Sequence, residues 1–108
     1  MTTIAKGAKH VTIINVFKVE PANQQRLIDL LTKVADSSAR TAQGFVSGGL
    51  HRSLDGTKVI MYAQWRTMED YDAMRKDPAR AAMVKEAHTF ASPDPTAYEV
   101  VETFSPPA

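Results

Sequence analysis

The chain has no cysteine, and this absence excludes several kinds of chemistry at once. A thiolate nucleophile, a disulfide framework, an iron–sulfur cluster and a Cys-ligated zinc all need sulfur ligands that the sequence does not contain. The three histidines, His10, His51 and His88, are too scattered along the chain to form a metal-binding motif. We therefore expect no metal site.

An excess of charge of either sign is also lacking, because 13 basic and 12 acidic residues give a formal net charge of +1. The two signs are interspersed without a basic stripe, so the sequence does not favour nucleic acid as a partner. No apolar run is long enough to span a bilayer, and no secretory hydrophobic segment opens the chain. We expect no membrane partner and a cytoplasmic location.

The 108 residues predict a single domain, with residues 1–9 as a flexible arm and residues 105–108 as a tail. Hydrophobic residues make up 44% of the chain, an ordinary share for a globular protein. A domain of this length buries roughly two-thirds of the surface that its unfolded chain exposes. The sequence is therefore long enough for one hydrophobic core.

The stretch from Lys58 to Met74 predicts a strand followed directly by a helix. Apolar side chains alternate on one face of the strand, at Val59, Met61, Ala63 and Trp65. Thr67 then fits a helix N-cap, with acidic residues in the first turn, and Met68, Tyr71 and Met74 recur at helical spacing. Trp65 is the only tryptophan of the chain, and a strand–helix junction is a place where a pocket mouth often forms.

The remaining segments complete the order β-α-β-β-α(α)-β. Residues 10–19 predict a strand, with Asn15 as a polar residue in the middle of an apolar face. A helix is expected from Pro21 to about Gly44, and a weaker strand over residues 45–54 contains a glycine pair that suggests a bulge or a close backbone approach. Asp55-Gly56 indicates a hairpin, residues 78–88 a further helix, and Tyr98–Phe104 the last strand.

Right-handed crossovers convert this order into a ferredoxin-like α+β fold: an antiparallel four-stranded sheet with helices on one face. We expect the first and third strands to be parallel central neighbours, with Asn15 and Trp65 on the same face. The opposite face is also apolar, at Ile14, Val16, Ile60, Tyr62 and Val101. One layer of helices cannot cover both faces, so we expect a homodimer through the uncovered sheet face.

In order and spacing the chain resembles the antibiotic biosynthesis monooxygenase superfamily, whose members are small dimeric α/β-barrel proteins. The resemblance covers roughly Val11 to Phe104. It rests on three segments, which are Ile14-Asn-Val-Phe17, Tyr62-Ala-Gln-Trp-Arg66 followed by Tyr71-Asp-Ala-Met74, and Tyr98-Glu-Val-Val-Glu102. The nearest likeness is to cofactor-independent oxygenases that convert anthrones to quinones with O₂. It implies a cofactor-free monooxygenase acting on an anthrone-type aromatic polyketide or a hydroquinone, through a substrate carbanion.

The resemblance also implies four catalytic residues, namely Asn15, Trp65, His51 and Tyr71. Asn15 and Trp65 match the positions implicated in catalysis, whereas His51 and Tyr71 match site residues of one branch of the group. The chain departs from that branch at Met61, where an Asn is expected, and at Lys85, where an Arg is expected.

Each of these residues also has a purely structural interpretation. Trp65 and Tyr71 fit core packing, Asn15 can bond a neighbouring loop, and His51 can be solvated at the surface. Two other functions stay open. A sister group degrades haem, but it needs an axial His about ten residues after the Trp, where this chain has Arg75. The second open function is that of a non-catalytic dimeric protein, which binds a small ligand or acts in the stress response.

Overall fold

The computed structural model describes residues 2–107 as one antiparallel sheet with helices packed against one face. The strands are β1 (Val11–Val19), β2 (Phe45–Arg52), β3 (Lys58–Trp65), β4 (Ala91–Ser92) and β5 (Pro95–Tyr98). The helices are α1 (Gln24–Val34), α2 (Met68–Arg75) and α3 (Pro78–His88). A 3₁₀ turn (Pro21–Asn23) leads into α1, and a π-helical turn (Ala35–Ala39) follows it.

The strand order is β2-β3-β1-β4, and β5 also pairs with β1. This is the predicted ferredoxin-like arrangement, which is therefore confirmed. The expected parallel pairing of the first and third strands is wrong, because β1 and β3 are antiparallel, with Asn15 opposite Met61. The crossover through α1 makes β1 and β2 point the same way, and the hairpin then reverses β3, so that β3 runs against β1.

The last strand differs from the prediction of Tyr98–Phe104. The chain forms two short pieces, β4 and β5, on the same side of β1 and separated by Pro93 and Asp94. Tyr98 pairs with Thr12, next to the first residue of β1, so the chain beyond Tyr98 has no strand left to pair with. Val101 is 72% exposed and is not part of the sheet, which removes it from the predicted apolar sheet face.

The covered face of the sheet holds two clusters of buried side chains. Helix α1 contributes a leucine stripe to the first, in which Leu27 is wholly buried near Phe17 and Val59. The second cluster surrounds Trp65 and contains Ile13, Ala63, Tyr71 and Met74. Val59, Ala63 and Trp65 are thus buried on one face, as their alternation predicted.

Local signals at the ends of the elements act as the sequence indicated. The Thr67 hydroxyl accepts a hydrogen bond from the Asp70 backbone N–H at 3.1 Å, which caps α2. Gly44 has φ +84°, a conformation that glycine adopts at little cost, but the predicted helix up to Gly44 is wrong, because the helical segment ends at Ala39 and Gly44 directly precedes β2. At Gly48 a Cβ would lie 2.8 Å from the Tyr62 carbonyl oxygen, which confirms the predicted close backbone approach.

None of the helices within residues 2–107 combines the length and the apolar character that crossing a bilayer requires.

Candidate active site

A cavity of about 480 Å³ lies between the sheet and its helices, a volume within the range of small-molecule sites. Strands β1, β2 and β3 form its floor, and the segment that follows α1, together with α2 and α3, forms its walls. Its lining is largely apolar and includes Ile13, Phe45, Leu50, Met61, Trp65 and Met74. Asn15, Tyr71 and Arg80 add polar groups to this lining.

A second hollow, of about 560 Å³, lies near Lys18, Lys58 and His88 at the other end of the sheet. It contains none of the predicted site residues. The cavity that contains Asn15 and Trp65 is therefore the candidate active site.

Asn15 lies in the middle of β1, and its side chain is held in one orientation. Its Oδ1 accepts a hydrogen bond from the Asp94 backbone N–H at 3.0 Å, and the Val16 N–H donates to the Asp94 carbonyl beside it. The amide oxygen is thus occupied, whereas its NH₂ group has no hydrogen-bond partner within residues 2–107. Asn15 both bonds a neighbouring loop and presents a free donor at the cavity wall.

Trp65 closes β3 and is 1% exposed. Its ring meets Phe45 edge-on at 5.3 Å between centroids and lies 5.9 Å from the ring of Tyr71. Its indole N–H is buried and has no acceptor in the part of the chain that the structure describes. Such a donor costs about 1–3 kcal/mol, so its retention beside a cavity calls for a functional explanation.

The register of β1 against β3 fixes the spacing of Asn15 and Trp65. Asn15 is opposite Met61, and Trp65 lies four residues farther along β3 on the same face. At about 3.3 Å per residue the two side chains are about 13 Å apart along the sheet. They therefore border different ends of one cavity and cannot bind the same atom of a ligand.

Tyr71 lies one helical turn into α2, lines the cavity and is 9% exposed. The Arg75 guanidinium is 5.4 Å from the centroid of its ring, and Arg75 also lies 3.7 Å from the Asp72 carboxylate. Tyr71 thus joins Asn15 and Trp65 in the candidate site.

His51 is not brought to the cavity. Leu50 lines the cavity, so the alternation of strand β2 turns His51 to the opposite side of the sheet, where it is exposed. Of the four residues predicted from the resemblance, the structure brings three together and leaves His51 outside.

Arg80 is a cavity residue that the sequence reasoning missed. It lies half-buried on α3 and borders both the main cavity and a small recess of about 70 Å³ beside Asn15 and Met61. Burial lowers the pKa of its guanidinium from the ordinary value. At position 85, where the resemblance expects an Arg, the chain has Lys85, which is exposed and absent from this lining. The missed signal was helical spacing, because Arg80, Val84 and Ala87 share the face of α3 that is turned to the sheet.

Among residues 2–107, no three His, Asp or Glu side chains are grouped as a metal site requires.

Comparison with known proteins gives consistent results at three levels. The family model described as antibiotic biosynthesis monooxygenase matches residues 10–86. Tetracenomycin-F1 monooxygenase from Streptomyces glaucescens is 38% identical over 104 residues, which cover 96% of this chain and 93% of that protein.

Two solved structures share the fold. The monooxygenase ActVA-Orf6 of Streptomyces coelicolor, in complex with nanaomycin D, has a TM-score of 0.74 and 27% identity, over 90% of this chain and 92% of that one. SnoaB, a cofactor-independent oxygenase from Streptomyces nogalater, has a TM-score of 0.75 and 21% identity, over 89% and 97% of the two chains.

Proposed function

Because the chain belongs to the antibiotic biosynthesis monooxygenase family and is a monooxygenase, we propose that it oxidises an anthrone-type aromatic polyketide, or a related hydroquinone, to a quinone with O₂. The reaction proceeds through a substrate carbanion and needs no cofactor. The observation that supports this proposal most is the cavity itself, an apolar space with an unpartnered amide donor near one end and the aromatic ring of Trp65 near the other.

The chemistry explains why so few polar groups suffice. Removal of one of the two protons on the sp³ ring carbon gives a delocalised carbanion, which reacts with O₂ to form a C–O bond and, once a proton returns, a hydroperoxide. Loss of the second proton from this carbon then breaks the O–O bond, so that one oxygen stays as the new carbonyl and the other leaves as water. The protein has to bind a flat ring system, stabilise negative charge on an oxygen and exclude bulk water.

Asn15 supplies the stabilising donor. Asp94 holds its amide oxygen, so its NH₂ group is pre-oriented and donates to the oxygen on which the carbanion's charge is delocalised. Trp65 forms the wall near the other end, about 13 Å away along the sheet. An elongated fused-ring substrate reaches both ends of the cavity, whereas a single-ring substrate does not.

Tyr71 is the residue placed to move a proton in this cavity. Its ring is in contact with the aromatic cluster around Trp65, and it lines the same space. His51, which the resemblance offered for this task, faces the other side of the sheet, so we assign proton transfer to Tyr71.

Substitution of Asn15 tests the proposal. We expect Asn15→Ala to lower kcat for the anthrone dithranol, measured as oxygen uptake with chelator present, by about 10²- to 10³-fold, the usual effect of removing one such donor. Asn15→Asp keeps an acceptor for the Asp94 N–H but replaces the donor by a negative oxygen, so we expect at least as large a loss.

Asn23→Ala is the matched control, because Asn23 is the only other asparagine and its side chain makes no capping hydrogen bond at α1. Unchanged turnover in both Asn15 variants would remove Asn15 from the mechanism. Oxygen uptake that depends on added metal, or a haem band that bleaches with reductant, would contradict the cofactor-free reaction.

We also propose that the protein is a homodimer through the sheet face that the helices leave uncovered. Ile14, Val16, Ile60 and Tyr62 alternate with the buried residues of β1 and β3 and are only partly buried in the single chain. A second copy on this face would remove their apolar surface from water.

A further inference from the structure

The cavity contains a positive charge that the chain itself does not neutralise. Arg40 and Asp36 both line the cavity, but they form an ion pair with each other at 3.3 Å. Arg80 takes part in none of the ion pairs or side-chain hydrogen bonds found among residues 2–107. The nearby carboxylate of Asp77 caps α3 by accepting a hydrogen bond from the Ala79 N–H.

Arg80 also lies close to Asn15. Arg80 borders the small recess together with Asn15 and Met61, so it lies at the Asn15 end of the cavity. Partial burial has removed some of its water, and the lining around it is largely apolar. A guanidinium stays protonated at neutral pH and presents five N–H donors, which makes an anionic oxygen the partner that fits it.

We propose that Arg80 binds an anionic oxygen of the substrate next to Asn15. This oxygen has two chemical sources, a carboxylate that the aromatic ring system carries and the enolate-type oxygen formed with the carbanion. The enolate source rests on the function proposed above, whereas the carboxylate source requires only that the cavity binds a flat aromatic anion.

Binding is measured first, through the fluorescence of Trp65, which is the only tryptophan of the chain and lines the cavity. The probes are anthraquinone-2-carboxylate and its neutral counterpart, 2-(hydroxymethyl)anthraquinone. If the source is a carboxylate, Arg80→Gln weakens binding of the charged probe by about 10- to 100-fold, the effect of losing a hydrogen bond to a charged group, and leaves the neutral probe unaffected.

Turnover is measured second, with dithranol, which carries no carboxylate. If the source is the enolate, Arg80→Gln lowers kcat by at least about tenfold while the affinity for the neutral probe stays the same. Arg80→Lys keeps the charge and should recover part of the lost binding or turnover.

Lys85→Gln is the matched control. It removes one positive charge from the same helix, but Lys85 is exposed and does not line the cavity, so the ligand affinities and kcat should equal those of the wild type. Thermal unfolding of every variant separates a loss of binding from a loss of folding.

The outcomes are distinct. If Arg80→Gln matches the wild type with both probes and with dithranol, or if the wild type binds neither probe, the assignment of Arg80 is overturned. If Lys85→Gln produces the loss instead, the assignment is also overturned. If the wild type does not oxidise dithranol but binds the charged probe through Arg80, the proposed function fails on this substrate and the anion site stands.

Discussion

Trp65 stabilises the fold through its ring and costs it stability through its indole N–H. The ring packs between Phe45 and Tyr71, which stabilises the second core cluster. Its N–H gains nothing from this packing, because it is buried without an acceptor among the described residues. Trp65 also lines the cavity, so the same residue forms part of the core and part of the candidate site.

Trp65→Phe separates the two contributions. Loss of the orphan donor offsets part of the packing lost with the smaller ring, so we expect the free energy of unfolding to change by about 1 kcal/mol or less. Oxygen uptake with an anthrone should fall much more than stability, because the function proposed above makes the Trp65 ring one wall of the substrate cavity. Urea denaturation and the oxygen electrode measure the two quantities.

Leu27→Ala is the contrasting variant. Leu27 is wholly buried in the other core cluster and does not line the cavity. The substitution should lower the free energy of unfolding by about 2–5 kcal/mol, while the molecules that remain folded keep the wild-type kcat. A Trp65→Phe enzyme that is destabilised to the same degree but fully active would show that Trp65 is only a core residue.

At this scale the sequence was informative where a residue type was rare or out of place. Asn15 interrupts an apolar strand face and Trp65 is the only tryptophan of the chain, and both line the cavity. Arg80 is one of many basic residues, and only the packing of α3 shows that it faces inward. His51 was proposed from the resemblance alone, and the structure leaves it exposed and outside the cavity lining.

At the scale of elements, the hairpin between β2 and β3 holds the strand that ends in Trp65. Asp55 organises its turn: the carboxylate accepts hydrogen bonds from the Ser53 hydroxyl and from both the N–H and the hydroxyl of Thr57. The Thr57 contacts, the Ser53 contact and the nearby charge of Lys58 lower the pKa of Asp55 from 3.8 to about 2. Every one of these contacts favours the charged carboxylate.

This shift predicts a pH dependence. Because the pKa of Asp55 is lower in the folded state, its stabilising effect is fully present above pH 3.8 and is lost as the pH falls toward 2. The difference in free energy of unfolding between the wild type and Asp55→Asn should therefore be largest near neutral pH and shrink below pH 3.8. Urea titrations at several pH values measure it, and a difference that stays constant down to pH 2 would contradict the assignment.

Helix starts could be predicted from the capping residues in the sequence, whereas strand pairing, which depends on residues distant along the chain, could not. Thr67 and Asp77 cap α2 and α3 as their residue types indicated. The last strand was predicted at residues 98–104, because the β-branched residues there favour a strand. In the structure it ends at Tyr98, because Tyr98 pairs with Thr12 near the start of β1 and the residues after it have no strand to pair with. The antiparallel pairing of β1 and β3 follows from topology, which local patterns do not contain.

At the scale of the molecule, the sheet has one face covered by helices and one face that is not. The cavity and both core clusters lie on the covered face. On the other face Ile14, Val16, Ile60 and Tyr62 retain exposed apolar surface in the single chain. This partly exposed apolar surface, which a second copy would cover, is the basis of the proposed homodimer.

Ile60→Glu tests the dimer directly, because Ile60 lies on the uncovered face of β3. Its sequence neighbour Val59 is buried on the opposite, helix-covered face. Burying a carboxylate in an apolar interface is costly, so we expect the wild type to elute as a dimer in size-exclusion chromatography with light scattering and Ile60→Glu as a monomer. Leu54→Glu introduces the same charge at a fully exposed apolar residue of the hairpin loop and should remain dimeric. A monomeric wild type, or an Ile60→Glu variant as dimeric as Leu54→Glu, would exclude this face as the interface.

The cavity lies on the helix-covered side of the sheet, so a folded Ile60→Glu monomer should still bind the anthraquinone probes.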